Sequence, residues 1–437
     1  MAGIAEAVVD DVLGVVEAGD WVLGEARKAL IDTLAVAAAA PRVYPKALRI
    51  ASAIAGGEPG PIPILGSGGG RAPRLAAALA NAFLAHSIEF DDWLAPGYVH
   101  AGSIAIPVVL SYGYDSSLRE VLQAIAAGYE AGLKVGSYMG RSHYLRYHGT
   151  ATIGSVVAAT VYTMLVEGPS RRVLEAAITL AASYMGGLWS VNRAGALYKP
   201  LSPAKAVETG VLAAKAALVE GKPVPGGIER ACQALYGDCR YIESYRYGVA
   251  VNGYKFYPSC RHSHTVIEAA LELYGRVKPG EIKRIRARLY REAVEVAGIR
   301  EPRGVEEARF SIPYLVAAAL VYGRVGFREI EGSLRDPMVH RLARLVELEA
   351  VDEYTGQYPA RQPAELVIQA RGGTLSSYRD RPRGEPGSSV SMDEILEKVE
   401  GLREYMDPVE YSVIRRLASE SLETTLGEAF EALWAER

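Results

Sequence analysis

The stretch EFDDWLAPGYVHAGS, residues 89–103, places three carboxylates (Glu89, Asp91, Asp92) within four residues. A Pro-Gly turn at Pro96 and Gly97 and then His100 follow them. A carboxylate orients a nearby imidazole and raises its basicity, so an acid and a histidine on two arms of one loop have the residue types of a proton-transfer pair. Alone, the stretch reads first as a solvated acidic loop with an incidental histidine. Three further stretches add to it. RYHGTATIG sets His148 before an apolar helix whose N-terminus suits an anion. YKPLSPAK sets Lys199 and Lys205 at another helix start, and YKFYPSCRHSH gathers Lys255, Arg261, His262 and His264 around a Tyr-Pro turn. Each of these, taken singly, is also what a capping loop, a surface lysine or a satisfied histidine looks like. Five of the seven histidines (His100, His143, His148, His262, His264) nevertheless fall in or beside these loops, each with a cation or a tyrosine. Together they fit an anion with several carboxylates, held by Lys and Arg while histidines move protons.

The elements that must position these residues fall into two kinds. From the N-terminus to about residue 250 the chain is rich in Ala, Leu, Val and Gly at helical spacing, as in RLAAALANAFLAHSIEF and AKAVETGVLAAKAALVEG, which predicts a large helical domain. NAFLAHSIEF reads as a helix whose C-terminal end is crowded with acids, a position that the helix dipole disfavours unless the acids have partners. After Val277 the period shortens: EIKRIRARLY, LVELEAV and AELVIQARGG followed by TLSSYRD read as strands, the last two joined as a hairpin through Gly372 and Gly373. A smaller α+β domain is therefore expected. RDRPRGEPGSSVS is a linker, and Ser391 with Glu394 forms a capping box that opens the helix MDEILEKVEGL. LGSGGGRAPRLAAAL has Arg71 where the last glycine of a dinucleotide loop should stand, is followed by a helix carrying HSIEFDD, and reads as a turn into a helix.

Composition narrows the class. The chain has 437 residues, 49% of them hydrophobic, and a formal net charge of −3, so neither nucleic acid nor an anionic membrane is an expected partner. The N-terminus has no basic region followed by an apolar block, and no apolar run approaches a membrane span, which places the protein in the cytoplasm. Three cysteines (Cys232, Cys239, Cys260) at unhelpful spacings read as ordinary thiols without metal or disulfide framework. Asparagine is limited to Asn81, Asn192 and Asn252, a composition that leans toward a thermophilic source.

The blocks NAFLAHSIEFDD…HAGS, YHGTATIG, KPLSPAKAVETGVLAA, YKFYPSCRHSHTVIEAA and ARFSIPYLVAAAL resemble, in order, the motifs of the 2-methylcitrate dehydratase and cis-aconitate decarboxylase family (MmgE/PrpD). The resemblance implies a mainly α protein: an all-helical domain over 1–251 completed by 393–437, a smaller α+β lid over 252–392, and a homodimer. It also implies an active site between the domains, no cofactor or obligatory metal, and a citrate-like di- or tricarboxylate as substrate. Carried over by motif, the site contains His100, His148, Lys199, Lys255, His264 and Tyr314. The expected reaction is dehydration of 2-methylcitrate, as in propionate metabolism. In that reading His100 is the principal acid/base, Glu89 or Asp91 orients it, His148 and Tyr314 are proton partners, and Lys199, Lys255 and Arg261 clamp carboxylates. Decarboxylation of cis-aconitate, epimerisation of an amino or imino diacid, and a binding protein without chemistry are the rivals. The chain departs from the family in Glu89, usually Asp, in Trp93, often Thr, and in a loop to His100 about one residue longer.

Overall fold

The computed structural model describes residues 3–94, 97–193, 197–235, 237, 239, 245–385 and 389–434. The chain divides into two compact units, residues 1–254 with 389–437, and residues 255–388. The fold is mainly α, with a small sheet.

The first unit is helical wherever the sequence shows wide apolar faces. Helix Asp20–Val43 is buried almost continuously from Ala26 to Pro41, because its run of alanines lets neighbours approach from every side. Helices Leu118–Tyr144, Gly154–Val166 and Leu201–Glu220 pack around the same core. Ser117 and Glu120 close a capping box at the start of Leu118–Tyr144, and Ser391 and Glu394 close the one foreseen at Met392–Leu402. The glycine-rich stretch is a tight antiparallel connection between Ile62–Pro63 and Arg71–Ala72, its turn tied by Ser67 to Ile64 and Gly70, and it leads into helix Arg74–Ala85.

Three expectations are corrected here. Helix Arg74–Ala85 ends before the acids: Glu89 adopts φ 53°, so residues 86–92 leave the helix and Glu89, Asp91 and Asp92 lie on a loop. The segment Gly149–Val166 does have the length and hydropathy of a membrane span, although 89% of it is buried within the unit, as a core helix would be. Cys232 and Cys239 are disulfide-bonded, since the end of helix Gly227–Ala234 and a left-handed backbone at Cys239 bring their Cα atoms to 5.7 Å; Cys260 is a buried thiol.

The second unit holds a four-stranded sheet in the order Val346–Ala350, Ile282–Leu289, Ala364–Ala370, Gly373–Arg379. The first pair is parallel, with Ile285 opposite Val346; the other two pairs are antiparallel, and the hairpin closes with Ala370 opposite Gly373. Strand Ile282–Leu289 buries Ile282, Ile285, Ala287 and Leu289. A register shift between Ile282 and Arg284 explains why its alternation in sequence is imperfect. Val266, Ile267, Leu315, Val339 and Leu342 from the helices cover one sheet face together with Ile285 and Ile368.

Candidate active site

In the first unit the loop after helix Arg74–Ala85 is folded back by its own backbone. Trp93 and Gly253 exchange hydrogen bonds of 2.8 and 2.7 Å, and Leu94 pairs with Val99, which carries the chain from the acids to His100. Pro96, half of the expected turn, lies outside the described residues. His100 N–H donates to Thr150 Oγ1 (3.2 Å), fastening this loop to helix Gly149–Thr152. Two glycines make the approach possible. A Cβ on Gly149 would sit 2.0 Å from the Tyr98 carbonyl oxygen, and one on Gly102 would sit 2.3 Å from Thr33 Oγ1 and 2.9 Å from Asp92 Oδ1.

Each of the three acids has a partner, which answers the dipole argument. Asp91 Oδ2 lies 2.6 Å from His86 Nδ1 and 3.2 Å from His100 Nδ1. Buried Glu89 forms an ion pair with the partly buried Lys199, which stands just ahead of helix Leu201–Glu220. Asp92 accepts from Tyr129 Oη–H and from Gly102 N–H (3.0 Å). Of the two acids proposed to orient His100, it is therefore Asp91 that touches the ring, while Glu89 serves Lys199. Asp92 is structural: burial, reinforced by the neighbouring Asp91 charge, pushes its carboxyl up to about 7 against the opposing Tyr129 bond.

His148 lies 5.7 Å from His86 and 6.4 Å from His100 between ring centroids, and His86 and His100 are 4.7 Å apart. All three are buried. Burial lowers His86 to about 4, with Asp91 opposing and Lys199 assisting; burial and then Lys199 hold His148 well below the ordinary histidine range. Both rings are thus neutral at physiological pH. One nitrogen from each of the three rings falls within 4.8 Å of the others, the residue set of a three-histidine cation site. The Lys199 ammonium acts electrostatically on His86 and His148, opposed by the Asp91 carboxylate at His86 and the Glu89 carboxylate at His148. Trp93 is buried with its ring 5.8 Å from His100, forming an apolar wall rather than a hydroxyl-bearing one.

The other sequence candidates have close neighbours of their own. His143 faces Thr152 Oγ1 at 3.0 Å and stacks on Tyr147, holding the 147–152 turn. Lys205 Nζ approaches the carbonyl oxygens of Ala151 and Tyr184 at 3.4 and 3.3 Å. In the second unit Lys255 and His264 are buried. Arg261 pairs there with Glu385 and stands 3.2 Å from His264 Nδ1. His262 Nδ1 meets Tyr290 Oη at 2.6 Å, and Tyr314 Oη meets His340 Nδ1 at 2.9 Å. Sequence reasoning missed His86, Tyr129 and Lys398. His86 sits five residues before Asp91, a separation that joins them only because the helix stops at Ala85. Lys398, from the C-terminal helix Met392–Leu402, pairs with Asp32 at 2.6 Å and donates to the Phe90 carbonyl oxygen at 2.8 Å, bracing the acid loop from behind.

A carboxylate shared by two imidazoles, a third imidazole beside them and a partly buried lysine–glutamate pair make this the layout of an acid–base site for an anionic substrate. Family comparison agrees in kind. Residues 15–221 match the MmgE/PrpD N-terminal domain and residues 257–423 the MmgE/PrpD C-terminal domain, and the chain belongs to the MmgE/PrpD family. It is 24% identical over 355 residues to the human cis-aconitate decarboxylase, covering 75% of this chain and 72% of that protein. It is 29% identical over 205 residues to the cis-aconitate decarboxylase-like protein oryM of Aspergillus oryzae, covering 44% of this chain and 42% of the fungal protein.

Proposed function

We propose that the protein is a lyase for citrate-like tricarboxylates that dehydrates 2-methylcitrate to 2-methyl-cis-aconitate. The observation that carries this reading is Asp91 Oδ2 placed against the Nδ1 atoms of both His86 and His100, with His148 and Lys199 beside them. His100 Nε2 takes the proton from the carbon next to a carboxylate. The C–H electron pair becomes the double bond as the neighbouring C–O bond breaks, and the hydroxyl leaves as water with a proton from His148, which regains one from protonated His100. Neutral His148 hydrogen-bonds the departing hydroxyl, and Lys199, turning from Glu89, neutralises a substrate carboxylate. The resemblance assigns Lys255 and His264 to substrate binding and Tyr314 to proton donation; loss of turnover in Tyr314→Phe and a raised KM in Lys255→Met would support these roles. It also supports a cytoplasmic homodimer, for which light scattering should return twice the chain mass.

The first assay follows ultraviolet absorbance of the unsaturated product from 2-methylcitrate, citrate and cis-aconitate, with products identified by mass. Water lost from 2-methylcitrate supports the dehydratase, and inertness toward all three acids removes the reading. Decarboxylation of cis-aconitate is the second reading, favoured by the names of both relatives and by the apolar Trp93 wall, which suits a carbanion less hydrated than its carboxylate precursor. Carbon dioxide released from cis-aconitate, with no water lost from 2-methylcitrate, would move the assignment there.

A further inference from the structure

We propose that His86 is a positioning residue that sets how strongly Asp91 acts on His100, an inference that rests on the acid–base reading of this site. His86 has no solvent exposure and follows directly on the last residue of helix Arg74–Ala85. Its Nδ1 is 2.6 Å from Asp91 Oδ2, and among the described residues its buried Nε2 has no hydrogen-bond partner. The same Asp91 oxygen is 3.2 Å from His100 Nδ1, which also lies 2.6 Å from the Asp92 carbonyl oxygen.

Carbonyl and carboxylate oxygens only accept hydrogen bonds, so both Nδ1 atoms carry hydrogen and each neutral ring keeps its lone pair at Nε2. That tautomer makes Nε2 the basic nitrogen of His100. A carboxylate oxygen that already accepts a short bond from one N–H has less charge to offer a second. His86 therefore moderates the pull of Asp91 on a protonated His100, so that the proton taken from substrate can be released again. Burial keeps His86 itself neutral, so it acts as a fixed donor rather than as a second charge.

Other charges around this pair come from every neighbouring element. Glu89 and Asp92 stand on the same loop, Lys199 before helix Leu201–Glu220, and His148 before helix Gly149–Thr152. Asp32 comes from helix Asp20–Val43, Tyr129 from helix Leu118–Tyr144, and Lys398 from helix Met392–Leu402. His86 meets Asp91 through its own 2.6 Å contact, which substitution of the His86 ring removes.

The test uses full-length protein labelled with 15N at histidine. In the wild type, ring-nitrogen shifts should report hydrogen on Nδ1 of both His86 and His100; an Nε2–H tautomer at either ring overturns the proposal. His86→Leu removes the donor, whereas His86→Asn keeps an N–H close to the Nδ1 position. The His100 titration in His86→Leu should move to higher pH by about one unit, and the acidic limb of kcat/KM with it, while His86→Asn stays near the wild type. An unmoved titration in folded His86→Leu, or equal movement in both variants, overturns it. Because the NMR titration needs no substrate, absence of turnover would remove the proposed function without being mistaken for failure of this one.

Discussion

At the scale of single residues, acid–base chemistry was legible where a histidine and acids share a loop. Which acid meets which ring was not, because a residue's partner depends on where the backbone turns. His100→Ala should lower kcat by about 10²- to 10⁴-fold with circular dichroism unchanged, and retained turnover would remove it as principal base. Asp92 offers a separate check on the electrostatics. Its folded value of about 7 exceeds the ordinary carboxylate value, so its contribution is fully present at low pH and is lost as pH rises from about 4 through 7. Asp92→Asn, which mimics the protonated form, should therefore gain melting temperature relative to the wild type as pH is raised across that window. A gap independent of pH would show that Asp92 is ionised in the fold.

At the scale of elements, helical spacing and strand alternation marked most of the structure, and the capping box at Ser391 marked the start of the C-terminal helix. What that helix does was invisible in the sequence. Lys398 and Asp32 are separated by most of the chain, yet they meet as a fully buried pair one hydrogen bond away from Phe90. Lys398→Met leaves Asp32 charged without this cation and should cost about 3–5 kcal/mol, read from denaturant unfolding. It should also reduce turnover, since the Phe90 carbonyl precedes Asp91 in the chain. Gly102→Ala tests the helix start that follows the loop. Its Cβ would intrude on Thr33 and Asp92, so both melting temperature and kcat should fall, and an unperturbed variant would show that the helix start can shift.

For the whole molecule, pH acts on both units through buried histidines. Burial lowers His86 and His143 to about 4 in the first unit and His262 to about 3 in the second. Below an ordinary histidine value of about 6.5 the unfolded chain binds protons that the folded chain refuses, so stability is lost as pH falls from there toward 4. Calorimetry should find transitions from both units moving to lower temperature across that window; a flat profile would mean the rings are protonated in the fold. Mainly helical architecture, the late strands and the family were determined by the sequence itself, because periodicity and ordered motifs are local properties of the chain. The disulfide, the end of the helix at Ala85, the pairing of Arg261 with Glu385 and the sharing of Asp91 between two histidines were decided only by tertiary structure. Each depends on a turn that brings two side chains to a few ångströms, and no spacing along the chain measures that distance.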